Sequence, residues 1–365
     1  MRKPILIAAG GTGGHFFPAE ALASHLLALG ERVVLMTDAR SGALASPVFS
    51  QAERHVIAGA GLSGRSLKRA LAGAFALARG VVQARAIMAR AKPGAVVAFG
   101  GYPAVAPVIA AFSLRPRPKI LLHEQNAVLG RANRLLARLA DVVVLSFAKT
   151  QALPKFVKTE LLGNPVRGPV AELFGVAYQP PDAQFNILVL GGSLGAQFFG
   201  ALIPQAMALL PPPLRARLHV VQQCRLPEQP AAQRVFAESG IAAELSPFFE
   251  DIAARLAVAH LVIARAGASS VAEIAVAGRP AIFIPLPNAI DDHQRANADA
   301  LASLGAAWRL DQAGLTPEIL AAKIESLLMN TTFLVNAASA AAGAARPGAA
   351  QRLAELVQAM VGAER

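Results

Sequence analysis

Only one cysteine, Cys224, occurs in the 365 residues, which excludes an intrachain disulfide and any fold that depends on covalent staples. Aromatic residues make up 5% of the chain, with two tyrosines and one tryptophan. So few rings argue against a surface that stacks the bases of single-stranded nucleic acid. The opening residues offer only Ile5 to Ala9 as an apolar run, too short for the core of a secretory signal. With the lone cysteine, this predicts a protein of a reducing cytosol. Acidic residues are missing between Glu53 and Glu124, a stretch that holds eleven lysines and arginines, Arg54 the first and Lys119 the last. One half of the molecule is therefore expected to carry a basic surface, suited to anionic lipid or a phosphorylated ligand.

Uninterrupted membrane spans are scarce too. Pro93 to Leu114 and Ala183 to Leu214 are uncharged and long enough, but Gly100, Gly101, Pro103 and Pro107 break the first, and Gly191, Gly192, Gly195 and Pro204 the second. Both read as buried strand, turn, helix units of a parallel sheet.

What is present is hydrophobic bulk, 54% of the chain, in a length that favours two domains. Short β-branched runs alternate with Ala/Leu-rich segments, the pattern of βα units. Strands are predicted at Ile5 to Ala9, Val33 to Thr37, Ala95 to Phe99, Ile120 to His123 and Val142 to Ser146. A second series follows at Ile187 to Leu190, Leu218 to Val221, Leu261 to Ala264 and Ala281 to Ile284. Helices are predicted at Pro18 to Leu29, Ser66 to Ala91, Arg131 to Leu139 and Ser270 to Val276. A segment with Pro165, Pro169, Pro180 and Pro181 separates the series. The expected division is 1–165 and 166–344, with a helix at about 345–365 returning to the first domain.

Each series opens alike, "ILIAAGGTGGH" at Ile5 and "ILVLGGSLGAQ" at Ile187. Two glycine turns at strand ends place main-chain N–H groups and a helix start against an anion, so phosphate or diphosphate is the expected guest, in a cleft between two Rossmann-like domains. The dinucleotide pattern fails because Phe16 stands where its third glycine belongs, and no Gly-Lys-Ser/Thr follows. Asp38 lies about 20 residues on, where a ribose-binding acid would stand, and reads more simply as a turn residue. His15 directly follows the glycines, and an imidazole with an ordinary pKa of ~6.5 suits proton abstraction. Ser270 to Glu273 reads as a capping box.

Seven stretches together, "GGTGGHFFPA", "FGGYPAVAP", "HEQNAVLGRANR", "LGNPVR", "GGSLGAQ", "RAGASSVAEI" and "DDHQRANA", resemble in order and spacing the MurG-type transferase family. That resemblance implies an α/β, GT-B fold of two parallel-sheet domains facing a central cleft. It implies inverting transfer of N-acetylglucosamine from UDP-N-acetylglucosamine to the muramoyl C4 hydroxyl of undecaprenyl-linked lipid I, giving lipid II for peptidoglycan. A GT-B enzyme acting on another lipid such as diacylglycerol is the alternative.

The resemblance also assigns residues. His15 is the candidate base and Glu124 a possible aid to proton transfer. Thr12, Gly13, Gly14, Asn126, Arg167, Ser193, Phe249, Gly267, Ala268, Glu273 and Gln294 fall on the donor side, Glu273 at the ribose and Gln294 at the sugar ring. Gly11, Gly100, Gly101, Tyr102, His123 and Gln125 fall on the acceptor side. Pro103, Leu129 and Arg131 stand where the family pattern varies or differs, which leaves loop shape open. Neither a DxD motif nor a ligand-spaced His/Cys cluster occurs, so no tightly bound metal is expected and a divalent ion would assist from solvent. Leu67, Leu71 and Phe75 recur at helical spacing beside Lys68, Arg69 and Arg79, a mixed face that would dock on the cytoplasmic side of the bacterial inner membrane. Cell-wall synthesis and division proteins are the implied partners, and nucleic acid is not.

Overall fold

A computed structural model describes residues 3–10, 13–39, 46–58 and 67–362, and within them every side chain except those of 67–70 and 193–196. Gly11 and Thr12 lie outside the described residues; Leu67, Lys68, Arg69 and Ser193 are described as backbone alone. The chain divides into Met1–Arg167 with Gly348–Arg365, and Gly168–Pro347.

In the first unit, β1 (Ile5–Ala8), β2 (Val33–Thr37), β3 (Glu53–Val56), β4 (Ala95–Ala98), β5 (Lys119–Glu124), β6 (Val142–Leu145) and β7 (Thr159–Leu161) form one sheet in the order β3-β2-β1-β4-β5-β6-β7. Every pairing is parallel, with Ile5 opposite both Val33 and Ala95. Helices α1 (Gly13–Ala28), α2 (Leu67–Ala91), α3 (Val105–Ser113) and α4 (Arg131–Leu136) cover its faces. Because strand side chains alternate, Ile5, Ile7, Val33 and Leu35 enter one core with Leu22 and Leu26 of α1. Leu6, Val34, Met36 and Val96 enter the other with Met88 of α2 and Val108 of α3.

The second unit repeats the plan. β8 (Phe185–Leu190), β9 (Leu218–Gln223), β10 (Ala242–Ser246), β11 (Leu261–Ala264), β12 (Ala281–Phe283) and β13 (Ala307–Arg309) run in the order β10-β9-β8-β11-β12-β13, again all parallel. Its helices include α5 (Gly192–Ala208), α6 (Ala268–Val276) and α7 (His293–Ala302). Both orders are doubly wound, and each reverses direction at its first strand, β1 or β8. The uncharged stretches Pro93 to Leu114 and Ala183 to Leu214 supply β4, a turn and α3, and β8, a turn and α5.

Arg167 belongs with the first unit, two residues past the expected boundary, and its guanidinium lies 5.3 Å from the centre of the Phe17 ring. The terminal helix α8 (Ala349–Gly362) also lies on the first unit, burying Leu353, Ala354 and Val357 in the core that holds α1.

Candidate functional site

In a doubly wound sheet, ligands are received beyond the carboxyl ends of the strands, where the order reverses. In the first unit that edge gathers the start of α1 after β1, the Gly100–Gly101 turn after β4, and Glu124 to Asn126 at the end of β5. Gly101 has φ 69° and ψ 175°, a conformation open almost only to glycine, and a Cβ there would stand 3.4 Å from the ring of His15. The turn therefore lies close beside the imidazole.

His15 Nδ1 is 3.1 Å from Gln125 Oε1. The orientation of that amide follows from its other contacts: Gln125 Nε2 donates to the Phe99 carbonyl, which only accepts, at 2.9 Å, and reaches His123 Nδ1 at 3.1 Å. His123 Nε2 in turn donates to the Gly163 carbonyl at 3.0 Å, so His123 Nδ1 is an acceptor. One tautomer satisfies the chain: His15 donates through Nδ1, and the neutral ring keeps its lone pair on Nε2. Burial, opposed by the Gly163 bond and helped by His15, lowers the His123 pKa to about 4, so this ring stays neutral and holds the order of donors.

His123 and Gln125, which the resemblance puts on the acceptor side, lie deep at this edge. They are 0% and 1% exposed, with their polar atoms engaged inside the domain, so they shape His15 from behind. Glu124, expected to aid proton transfer, is likewise committed. Its carboxylate accepts from the main-chain N–H of Asn126 and Gly130 and from the side-chain amides of Asn126 and Asn133, at 2.8 to 3.1 Å. Four neutral donors on a buried carboxylate fix the loop from 126 to 130, and none of them is an ion-pair partner. Asn133, which also donates to the His123 carbonyl at 3.2 Å, was not singled out from sequence, although it stands in the quoted "GRANR". Gly13 lies against the Phe17 ring beneath Arg167, which brings that arginine to the start of α1. Gly14 is exposed there, and Tyr102 is 41% exposed beside the Gly100–Gly101 turn.

On the second unit the corresponding edge carries Gly191 after β8, Gly267 after β11, Phe249 after β10 and Gln294 in α7 after β12. The N–H of Gly192, at φ 61°, donates to Gln223 Oε1 at 3.0 Å. Gly267 is the N-cap of α6, and a Cβ built on it meets nothing within 4 Å; Ala268 beside it is buried. Since the helix begins at Ala268, Ser270 sits inside its first turn and the expected capping box does not form. Glu273 is then a buried carboxylate one turn on. Gln294 accepts the Leu286 N–H at 2.9 Å through Oε1, which leaves its amide hydrogens for other work. Phe249 is 4% exposed, with the Arg255 guanidinium 4.1 Å from its ring centre. Glu244 and Asp251 hold Arg255 there.

Arg265, also missed from sequence, is buried at the end of β11. It donates to the carbonyls of Ile284 and Pro285 and to Gln312 Oε1, and stacks over Phe198 and Phe199 of α5. A strand-end arginine two residues before Gly267 was the available signal. Among the described residues no group of three or more His, Cys, Asp or Glu is placed to hold a metal.

Residues 5–145 match the model of the glycosyltransferase family 28 N-terminal domain, and residues 186–353 that of its C-terminal domain. A protein of Acidiphilium cryptum is 55% identical over 98% of this chain and 96% of its own length. One of Granulibacter bethesdensis is 51% identical over 98% and 94%. Both are named UDP-N-acetylglucosamine--N-acetylmuramyl-(pentapeptide) pyrophosphoryl-undecaprenol N-acetylglucosamine transferase. Among solved structures, MurG of Acinetobacter baumannii is similar at TM-score 0.77 and 35% identity, over 98% of this chain and 99% of that one. A UDP-GlcNAc 2-epimerase of Neisseria meningitidis, at TM-score 0.66, 10% identity and coverage of 97% and 99%, shares the fold alone.

Proposed function

Because the chain belongs to the MurG-type branch of glycosyltransferase family 28, we infer its reaction. It transfers N-acetylglucosamine from UDP-N-acetylglucosamine to the muramoyl C4 hydroxyl of the undecaprenyl-pyrophosphoryl N-acetylmuramoyl-pentapeptide, giving lipid II with inversion at the anomeric carbon. The observation that carries the residue assignments is the hydrogen-bonded chain from Gly163 through His123 and Gln125, which sets the lone pair on Nε2 of His15.

In this mechanism the acceptor hydroxyl gives its proton to His15 Nε2 while its oxygen bonds to the anomeric carbon. The bond from that carbon to the diphosphate breaks, and its electron pair leaves with UDP. Main-chain N–H groups at the starts of α5, beside Ser193, and of α6, after Gly267 and Ala268, stabilise the departing charge without reorganising. Glu273 accepts from the ribose hydroxyls, Gln294 donates to the sugar ring and the main chain at Phe249 meets the uracil. Arg167 and Asn126, with Thr12, Gly13 and Gly14, complete the donor side. Gly11, Gly100, Gly101 and Tyr102 border the acceptor.

The membrane-facing surface is α2. Leu71 and Phe75 are 63% and 73% exposed, so they stand outside the core, whereas Gly80, Ala84 and Met88 are buried. By length and composition Leu71–Ala91 could cross a membrane; the buried stripe supports an amphipathic helix lying on its domain. Its exposed face, with Arg79, docks the enzyme on anionic lipid at the cytoplasmic side of the inner membrane, and Lys68 and Arg69 stand earlier in the same helix.

The test is transfer from labelled UDP-N-acetylglucosamine to a short-chain lipid I analogue, with diacylglycerol in a parallel tube. Labelled product from the first alone is expected. Product from diacylglycerol alone would overturn the acceptor assignment.

A further inference from the structure

Behind the Tyr102–Pro103 turn that borders His15, the first unit holds a cavity of about 210 Å³. Its floor is Ile57, Leu77, Ala106, Ile109, Ala132 and Leu135, contributed by the segment after β3 and by α2, α3 and α4. None of those side chains carries a polar atom, so the floor has nothing to offer a sugar or a peptide. Polar groups stand among the remaining lining residues, as Asp38, Tyr102 and Arg131. The cavity is tied to the glycine turn at its mouth. A Cβ on Gly10 would meet Asp38 Oδ1 at 3.0 Å and Pro103 Cγ at 3.3 Å, so only glycine lets the strand end pass these two lining residues.

We propose that this cavity is a subsite for the first isoprene units of the lipid-linked acceptor. The inference rests on the acceptor assigned above. In such an acceptor the polyprenyl chain begins at the diphosphate, so a diphosphate held by the turn after β1 delivers the first apolar carbons beside that turn, and this apolar space adjoins it. A cavity of roughly 150 Å³ takes a benzene ring, so this one accommodates about one to two five-carbon units. At its rim Leu135 is 65% exposed, so the rest of the chain leaves the cavity past that side chain.

The test uses the full chain in detergent, without vesicles, and three acceptors with one head group, carrying a methyl, a ten-carbon geranyl or a long polyprenyl diphosphate. Burial of the first units should lower KM at least tenfold from methyl to geranyl, and by less than threefold from geranyl to polyprenyl. In Ile109→Trp, which fills the cavity, the methyl-to-geranyl ratio should fall to near one. Ala132→Leu, a smaller filling, should bring an intermediate ratio, and thermal melting checks that each variant is folded. A KM that falls evenly with every added unit, or a ratio unchanged in both folded variants, overturns the subsite and leaves the reaction standing. Failure of the wild type to use any of the three overturns the reaction and the subsite with it.

Discussion

His15 and Gln125 stand 110 positions apart and share one hydrogen bond, and that bond decides which nitrogen of the histidine can take a proton. His15 stands out in the sequence because it ends a glycine turn. The work of Gln125 is not legible there, since it depends on the sheet carrying β5 to the side of α1. Gln125→Leu removes the acceptor that holds the His15 tautomer. It should lower kcat roughly 10- to 100-fold while UDP-N-acetylglucosamine affinity stays within about twofold; steady-state kinetics with calorimetric donor binding separates the two. An equal loss in both would assign Gln125 a structural role only. His123 makes a separate statement about pH. Its folded pKa of about 4 lies below the ordinary value of 6.5, so as pH falls from ~6.5 to ~4 the unfolded chain takes up a proton that the folded domain refuses. The stabilisation is fully present above ~6.5 and is lost across that window, by about 3 kcal/mol. Calorimetric melting between pH 7 and 4 should show this decline, and His123→Asn should flatten it even though it starts from a lower stability.

Among elements, the legible strands are interior ones. β1, β2, β4, β6, β11 and β12 are buried along their whole length, which forces continuous apolar runs that sequence displays. The strands that escaped notice, β3, β7, β10 and β13, are the four edges of the two sheets. β3 reads Glu-Arg-His-Val and β7 has three residues; edge strands are short or polar because one side faces solvent, so they carry little periodic signal. Turns were legible as glycine pairs but their shapes were not. Gly101→Ala tests the most constrained of them. Its backbone conformation costs about 1 to 3 kcal/mol for a residue with a side chain, and the added methyl faces the His15 ring. Both stability and kcat should fall, and a variant with unchanged kcat would remove the turn from the site. For α2, reversing Lys68, Arg69 and Arg79 to Glu removes about 1 kcal/mol of lipid attraction per charge. Partitioning onto anionic vesicles should weaken roughly a hundredfold in sedimentation, with neutral vesicles hardly affected.

For the whole molecule, the repeated topology raises the question of which unit holds which substrate, and two sheets of the same winding do not answer it by shape. The chain provides its own reporter. The one tryptophan, Trp308, is in β13 of the second unit, so its fluorescence follows the unfolding of that unit alone, while calorimetry follows both. A ligand bound to one folded unit stabilises that unit by about 2.7 kcal/mol at a hundred times its Kd, which for a domain of this size raises the midpoint by roughly 5 to 10 °C. If Gly267, Glu273 and Gln294 hold the nucleotide sugar, UDP-N-acetylglucosamine should move the Trp308 transition by that amount. Glu273→Ala should move it less at the same ligand concentration, because the ribose hydroxyls lose their acceptor. A shift confined to the calorimetric transition that Trp308 does not report would place the donor on the first unit and reverse the assignment of both glycine turns.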